Sequence, residues 1–255
     1  MITGTFHLPG GAVLKTNFSK LSFIVFTKIA RLDLKFVDLN QGGKIFTLTV
    51  IFDLGNHPHF IRKVKSLSLS QSISAMRILI DMDGVIADFE GDFLRRWKEL
   101  HPDKPFIPLE ERKGFYVREQ YPKEFRDHIN DIYHAPGFYQ NLPPIPGALE
   151  ALKEIKSSAN TVFLCTSPML PKYENCVLEK YHWVYEHLGT DWVNNIILTR
   201  DKTVVKADIL IDDKPGIEGS MTPDWEHVFY DQPYNRHITT QRRLTWKNWK
   251  SVLNL

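Results

Sequence analysis

A short apolar run that ends in two aspartates constrains the fold of this chain more than any other stretch. Ile78, Leu79 and Ile80 are of the kind that form a strand buried on both faces of a parallel sheet. Asp81 and Asp83 follow directly. In open α/β sheets, ligands bind in the crevice at the carboxyl ends of the strands. The pattern therefore predicts an α/β fold in which the two aspartates are delivered to a cleft.

The two carboxylates are costly to place in one loop unless a positive group lies beside them. Mg²⁺ is a natural candidate, because it prefers oxygen ligands and usually takes one or two carboxylates together with substrate phosphate oxygens. An aspartate can also attack phosphorus and form an aspartyl-phosphate, which divides one difficult displacement into two easier steps. Gly84 gives the loop a freedom that other residues lack. Taken alone, however, Asp81 and Asp83 fit a solvated turn better than an active site.

Three later segments repeat the order of an apolar strand followed by polar side chains. They are LCTSP at 164–168, TRDK at 199–202 and ILIDDKPG at 209–216. Together they supply two hydroxyls, a lysine and two more carboxylates, at Thr166, Ser167, Lys202, Asp212 and Asp213. Four such segments in one order are much more specific than any one of them, and they shift the interpretation from a surface turn to an active site.

The four segments resemble the signatures of the haloacid dehalogenase superfamily, whose first signature is DxDxT or DxDGV after a buried strand. DMDGVIADFEG matches the first signature, and LCTSP, TRDK and ILIDDKPG match the other three. The words PFIPLEERKGFYVREQY, EKYHWVYEHLG and PDWEHVFY narrow the resemblance to the 5′(3′)-deoxyribonucleotidases, from about Met76 to Trp249. The resemblance implies a three-layer, Rossmann-like parallel sheet of the haloacid dehalogenase type. It also implies a small helical cap, inserted after the first strand at about residues 90–142.

The resemblance further implies a Mg²⁺-dependent 5′-nucleotidase that hydrolyses deoxyribonucleoside monophosphates through an aspartyl-phosphate. Asp81 would be the nucleophile, and Asp83 the general acid and base. Lys202 would neutralise charge in the transition state, and Thr166 would bind the phosphoryl group. The implied catalytic residues are therefore Asp81, Asp83, Thr166 and Lys202. The implied metal ligands are Asp81, Asp83 and Asp213, with Asp212 orienting the site or binding through water.

Substrate choice is expected in the cap, where aromatic rings can sandwich a nucleobase. Phe89, Phe115 and Tyr116 are the candidates, and stacking on a ring is worth roughly 1–3 kcal/mol per base. Cap helices also need aromatic cores, so core packing is the alternative role for these rings. The implied substrate-binding residues are Phe89, Phe115, Tyr116, Val117, Thr166, Ser167, Lys172 and Lys202.

Two other functions fit the same motifs. A broad phosphatase of the same superfamily would use its cap to read a sugar or another small metabolite. A non-catalytic binding module would use the fold as a scaffold, but it would have no reason to keep a costly cluster of like charges. The expected partner is a small nucleoside monophosphate, since a net charge of +2 gives no electrostatic case for a nucleic-acid polymer. No apolar stretch reaches the ~18–20 residues of a membrane span. A homodimer is possible, and the sequence does not decide the oligomeric state.

Residues 1–75 differ from the rest of the chain in charge. They carry nine Lys or Arg and three Asp, whereas the remaining residues carry 23 basic and 27 acidic side chains. A basic, serine-rich segment is typical of mitochondrial targeting, but the runs Leu21–Phe26 and Ile45–Phe52 favour a small β-rich appendage. The third interpretation is an upstream extension of the reading frame, with Met76 as the working start. We therefore predict an extension at 1–75 and a phosphatase core at 76–255.

The cysteine content bears on the compartment. Cys165 and Cys176 are too few for a disulfide framework and favour a reducing compartment. Cys165 lies inside a predicted strand, so we interpret it as a small core residue rather than a nucleophile. The predicted location is cytoplasmic, with a mitochondrial location as the alternative if residues 1–75 include a targeting segment.

Overall fold

The chain divides into two units, Met1–Ile73 and Ser74–Leu255. The computed structural model describes five strands before residue 75 and residues 75–255 except residue 159. In the first unit, β1 (Ile2–His7) and β2 (Val13–Phe18) form an antiparallel pair. β3 (Ile29–Leu39), β4 (Gly43–Phe52) and β5 (Ser66–Ser70) form an antiparallel sheet in that order. The predicted run Ile45–Phe52 lies within β4, whereas Leu21–Phe26 lies outside the described residues.

The second unit contains a parallel sheet built around the predicted strand Ile78–Ile80. Its strands are β6 (Arg77–Ile80), β7 (Thr161–Thr166), β8 (Ile196–Leu198), β9 (Ile209–Asp212), β10 (Glu226–Tyr230) and β11 (Arg243–Leu244). Their order is β11-β10-β9-β6-β7-β8, and every pairing is parallel. The predicted α/β class is confirmed.

β6 is buried on both faces, as its composition predicts. Successive side chains of a strand point to opposite faces of the sheet. Ile78 and Ile80 pack into the larger hydrophobic cluster, whereas Leu79 packs into a second cluster with residues from the connecting segments, such as Ala207 and Trp225. Burial on both sides fixes the register of β6, and the register fixes where the residues after Ile80 emerge.

Helices inserted between β6 and β7 form the cap. They are α1 (Phe89–Leu100), α2 (Val117–Gln120) and α3 (Arg126–Tyr133), with short 3₁₀ turns at Leu109–Glu111 and Lys123–Phe125. Asp88 caps α1 by accepting a hydrogen bond from the Gly91 N–H at 3.0 Å. Phe93 and Trp97, one helical turn apart, are both buried against the other cap helices. The small helical cap predicted after the first strand is confirmed.

The remaining helices are α4 (Ala148–Ser157), α5 (Tyr173–Leu188), α6 (Thr190–Val193) and α7 (Trp249–Leu253). α5 ends at Gly189, whose φ of +87° lies in the region that glycine favours. Among the described residues, no helix combines the length and the apolar character needed to cross a membrane. Cys165 and Cys176 are free and buried, and burial raises the pKa of Cys165 to about 12. Cys165 therefore stays a neutral thiol in the core, as predicted.

Candidate active site

The strand order reverses between β6 and β9. From β6 the chain moves outward to β7 and β8, and it then returns to β9 on the other side of β6. Ligands of such sheets bind outside the carboxyl ends of the strands at this switch point. Asp81 follows β6, and Asp213 follows β9. The topology therefore brings together residues that are more than a hundred positions apart in the chain.

The loop after β6 folds back on itself tightly. The Asp81 N–H donates to the Ile211 carbonyl at 2.9 Å, which fastens the loop to β9. The Gly84 N–H donates to the Ala87 carbonyl at 2.8 Å, and Gly84 has a φ of +75°. A Cβ atom at Gly84 would lie 2.3 Å from Oδ2 of Asp213. The glycine is required both by the backbone conformation and by the close approach of that carboxylate.

Lys202 is the cation that the sequence predicts. It begins a short 3₁₀ turn, which Asp201 caps by accepting from the Thr203 N–H at 2.9 Å. Its Nζ lies 2.6 Å from Oδ2 of Asp212 and 2.9 Å from Oδ1 of Asp81. Burial disfavours the charge of Lys202, but the two carboxylates outweigh it and raise its pKa. Lys202 is thus a permanent positive charge beside Asp81.

The carboxylates of Asp81, Asp212 and Asp213 converge. One oxygen from each lies within 4.8 Å of the others. Asp212 uses both of its oxygens, because Oδ2 accepts from Lys202 and Oδ1 accepts from the Lys214 N–H at 2.9 Å. Oδ1 of Asp213 is buried and has no hydrogen-bond donor among the described residues. The cluster fits a divalent cation, and Asp213 offers the open oxygen.

The other oxygen of Asp213 is held by a residue that the sequence analysis missed. The hydroxyl of Tyr234 donates to Oδ2 of Asp213. Burial raises the pKa of Asp213 well above its ordinary value, and the nearby charges of Asp212 and Asp81 raise it further. Tyr234 counteracts this shift in part, because its hydrogen bond favours the ionised carboxylate.

A second buried lysine, also missed by the sequence analysis, holds Asp83. Lys180 is 1% exposed, and its Nζ donates to Oδ2 of Asp83 at 2.7 Å and to Oγ1 of Thr166 at 3.0 Å. Burial raises the pKa of Asp83, while Lys180 lowers it. A signal was present in the sequence, since Cys176, Lys180 and Val184 recur at i, i+4 and i+8 and all three are buried in α5. A lysine on the apolar face of a helix needs a buried partner.

The two other predicted phosphate contacts are arranged differently. The Ser167 hydroxyl donates to the Thr199 carbonyl at 2.9 Å, so its proton is directed away from the site. Lys172 is exposed at the start of α5 with a φ of +53°. It lines a small cavity together with Tyr139 and Cys176.

The cap aromatics lie in two groups. Phe89 packs on Phe138 with ring centroids 5.3 Å apart, so this ring belongs at least in part to the cap core. Phe115 lies on the loop before α2, and its ring meets that of Tyr234 at 5.8 Å. Tyr116 is 54% exposed, whereas the Val117 side chain is buried.

A buried ion pair fastens residues 110–116, which we call the Phe115 loop, to α1. Nη2 of Arg112 donates to Oε1 of Glu90 at 3.2 Å, and both side chains are almost fully buried. Burial raises the pKa of Glu90 to about 7, although Arg112 opposes the shift. The loop that carries Phe115 is therefore anchored at Arg112 as well as at Tyr234.

The family described as 5′ nucleotidase, deoxy (pyrimidine), cytosolic type C protein matches residues 75–255. The human cytosolic 5′(3′)-deoxyribonucleotidase is 49% identical over 190 residues, which cover 71% of this chain and 94% of that protein. The human mitochondrial 5′(3′)-deoxyribonucleotidase is 49% identical over 191 residues, with coverages of 71% and 83%. A Bordetella pertussis protein, provisionally named 5′(3′)-deoxyribonucleotidase, is 51% identical over 178 residues, which cover 70% of this chain and 95% of that protein.

Among solved structures, a HAD family hydrolase from Deinococcus radiodurans R1, with bound phosphate and sodium, aligns with a TM-score of 0.45. It is 14% identical and covers 70% of this chain and 95% of that chain. The strand order and the cap establish the fold, and the sequence match establishes the family. That match includes every site residue from Asp81 to Tyr234. The chain therefore belongs to the 5′(3′)-deoxyribonucleotidase family and is a phosphoric monoester hydrolase with a fold of the haloacid dehalogenase type.

Proposed function

We propose that this protein is a Mg²⁺-dependent 5′-nucleotidase that hydrolyses deoxyribonucleoside monophosphates to nucleoside and phosphate through an aspartyl-phosphate. The observation that carries the proposal is the carboxylate cluster at the switch point, in which Asp81 and Asp213 converge beside the buried ammonium of Lys202. Relatives named 5′(3′)-deoxyribonucleotidase support the substrate class.

Mg²⁺ suits this cluster because it takes few carboxylates and completes its shell with water and phosphate oxygens. Asp81 and Asp213 would hold the ion, Asp213 through Oδ1, which has no donor among the described residues. The backbone carbonyl of Asp83 would be a further ligand. Asp212 already uses both oxygens, so it would orient the site. The ion would supply charge neutralisation for the carboxylates and the substrate phosphate.

In the first half of the reaction, the phosphoryl group moves to Asp81. A carboxylate oxygen of Asp81 attacks phosphorus, the bond from phosphorus to the ribose oxygen breaks, and Asp83 donates a proton to that oxygen. Lys202 lies beside Asp81 and neutralises charge on the phosphoryl oxygens. Thr166 accepts from Lys180, so its own hydroxyl proton is left for a phosphoryl oxygen.

In the second half, water attacks phosphorus, the bond to the Asp81 oxygen breaks, and Asp83 takes up the proton of the water. Asp83 suits both steps, because Lys180 holds its Oδ2 while its Oδ1 has no donor within the described part of the chain. Proton transfer of this kind typically contributes ~10²–10⁴-fold to the rate. Inorganic phosphate then leaves, and Asp81 is restored.

The cap would read the base. The exposed ring of Tyr116 and the half-buried rings of Phe89 and Phe115 are available for stacking. The Val117 side chain is buried, so its backbone would be the part that meets the base edge. Ser167 and Lys172 stay proposed phosphate contacts, and Ser167 would first have to release the Thr199 carbonyl.

The proposed activity lies in residues 76–255, and residues 1–75 stay an extension with the three interpretations given above. The named relatives include a cytosolic and a mitochondrial type. We propose a cytoplasmic location, with the mitochondrion as the alternative. The proposed partner is a nucleoside monophosphate and not a nucleic-acid polymer.

A substrate screen tests the function directly. We expect Mg²⁺-dependent phosphate release from dUMP, dTMP and dGMP to exceed release from UMP and from sugar phosphates, because the cap would select for base and deoxyribose. Phosphate release is measured at equal substrate concentrations, with EDTA as the metal-free control. Equal rates on all substrates would favour a broad phosphatase instead, and no Mg²⁺-dependent release from any of them would favour a binding module.

Replacing Lys180 tests the role of Asp83. Lys180→Met removes the donor that holds Oδ2 of Asp83, and we expect kcat on dUMP to fall roughly 10²-fold, since a misplaced acid loses most of its contribution. KM should change less than kcat, because the buried Lys180 contacts Asp83 directly and would reach the phosphate only through Thr166. The matched control is Lys206→Met, which removes an exposed lysine that pairs with Asp224 at 3.8 Å. An unchanged kcat in Lys180→Met would show that Asp83 does not depend on this lysine.

A further inference from the structure

The turn that follows β10 contacts both loops of the metal site. We call it the clamp turn and define it as Gln232–Asn235. Nε2 of Gln232 donates to the Gly84 carbonyl at 2.7 Å. Nδ2 of Asn235 donates to the Asp213 carbonyl at 2.7 Å. The clamp turn therefore binds the backbone of the loop after β6 and the backbone of the loop after β9.

Tyr234 lies between these two contacts and is almost fully buried. Its hydroxyl donates to Oδ2 of Asp213, while its ring packs edge to face on Phe115 with centroids 5.8 Å apart. The polar end of Tyr234 thus meets a carboxylate of the metal site, and its apolar body meets the loop of the cap. Buried tyrosines often combine an apolar packing surface with one hydrogen bond in this way.

The Phe115 loop makes two further contacts to the same part of the core. Nζ of Lys214, the residue after Asp213, lies 5.7 Å from the centre of the Phe115 ring. Nη1 of Arg236 pairs with Oε2 of Glu110 at 2.6 Å, but both side chains are exposed, and such pairs contribute little. Of these three contacts within the described part of the chain, the one through Tyr234 is made by an almost fully buried side chain.

We propose that Tyr234 is a positioning residue that couples the metal carboxylate Asp213 to the base-reading loop at Phe115. The hydroxyl fixes the rotation of the Asp213 carboxylate, so that Oδ1 stays directed to the cation. The ring of Tyr234 fixes the distance between Phe115 and the carboxylate cluster, so that the base and the phosphate of one nucleotide are bound at the same time. The coupling to the base rests on the proposed nucleotidase function, whereas the coupling to the cation does not.

Two substitutions separate the hydroxyl from the ring. Tyr234→Phe keeps the ring and removes the hydrogen bond to Asp213. We expect its Mg²⁺ affinity to fall 10–100-fold, the usual loss when a group that orients a metal ligand is removed. KM for dUMP at saturating Mg²⁺ should stay near that of the wild type. Mg²⁺ binding to the apo protein is measured by titration calorimetry, which needs no substrate.

Tyr234→Leu removes the ring as well. We expect the same loss of Mg²⁺ affinity and, in addition, a rise in KM for dUMP that Tyr234→Phe does not cause. Phe115→Leu and the double variant complete a cycle, and the effects on KM should be non-additive because the two rings touch. The matched control is Tyr230→Phe, since Tyr230 is a buried neighbour whose ring packs on Trp246 at 5.5 Å. It should bind Mg²⁺ as the wild type does.

Each part of the proposal can be overturned separately. Wild-type Mg²⁺ affinity in Tyr234→Phe would overturn the coupling to the cation. Equal KM values for Tyr234→Phe and Tyr234→Leu, or additive effects in the cycle, would overturn the coupling to the base. If the wild-type protein binds Mg²⁺ but releases no phosphate from any nucleotide, the proposed function fails while the calorimetric result still decides the role of the hydroxyl. Thermal unfolding of Tyr234→Phe is measured alongside, because the substitution leaves Oδ2 of Asp213 without its donor, and a folded variant makes the calorimetric result decisive.

Discussion

Asp81→Asn should abolish phosphate release while leaving the fold intact. The amide cannot attack phosphorus, and loss of an obligatory nucleophile lowers turnover by a factor on the order of 10⁶. The substitution preserves shape, and Lys202 keeps its partner Asp212 at 2.6 Å, so no buried cation is left alone. Burial raises the pKa of both Asp212 and Asp213 most strongly, and the charge of Asp81 raises both further, although Lys202 opposes the shift at Asp212. Removing the charge of Asp81 should therefore leave the free energy of unfolding of the metal-free protein unchanged or increase it.

The measurement is phosphate release from dUMP together with thermal unfolding of the metal-free protein. Asp208→Asn is the control, because Asp208 lies just before β9, at the opposite end of the same sheet, and accepts from the Arg77 N–H at 2.6 Å. We expect Asp208→Asn to retain full turnover. Full turnover in Asp81→Asn would rule out the aspartyl-phosphate, and a collapsed melting transition would show that Asp81 is mainly structural.

The residues that follow strands could be predicted because sheet topology determines their location. An apolar or β-branched run of three or four residues identifies β6, β7, β8 and β9, and the residues that follow emerge at the carboxyl end of each strand. Asp81, Lys202 and the pair of Asp212 and Asp213 follow such runs, the resemblance implied their roles, and the structure brings the four side chains into one cluster. Strand order determines where these side chains emerge, and the sequence encodes it in short local patterns, whereas their roles came from the resemblance to the family.

The residues that support this cluster could not be predicted by the same argument. Lys180 reaches Asp83 from the middle of α5. The position of its ammonium group depends on how α5 packs against the sheet. Tyr234 comes from a turn after the fifth strand of the sheet and carries no signature of its own. The direction of the Ser167 hydroxyl, too, depends on a carbonyl 32 residues away.

The choice between Asp212 and Asp213 illustrates the same limit at single-residue scale. The sequence shows two adjacent carboxylates and a nearby lysine, and either of the two carboxylates fits the role of metal ligand. The distinction depends on which oxygens are already used, and Asp212 has both engaged while Asp213 has only one. The hydrogen-bond partners of each oxygen therefore distinguish the two carboxylates. Sequence periodicity cannot do so, because these partners are neighbours only in the folded structure.

Gly84→Ala should disable the metal site, although position 84 bears no functional group. The added Cβ atom would lie 2.3 Å from Oδ2 of Asp213 and 3.2 Å from the Tyr234 hydroxyl. A φ of +75° also strains any other residue, at a cost of roughly 1–2 kcal/mol. The carboxylate can escape the methyl group only by leaving the position that Tyr234 gives it. We expect turnover to fall roughly 10²-fold, the scale of a displacement of about 1 Å in an active site.

Substitutions at two other glycines distinguish the effect of backbone strain from the effect of contact with the Asp213 carboxylate. Gly189 has a φ of +87°, but a Cβ atom there meets nothing within 4 Å, so Gly189→Ala should lose stability and keep its turnover. Gly216 also has open space, and its φ lies outside the left-handed region, so Gly216→Ala should change neither quantity. The measurements are kcat, calorimetric Mg²⁺ affinity and the free energy of unfolding. If Gly84→Ala behaves like Gly189→Ala, keeping kcat and Mg²⁺ affinity, then catalysis does not require the observed position of the Asp213 carboxylate.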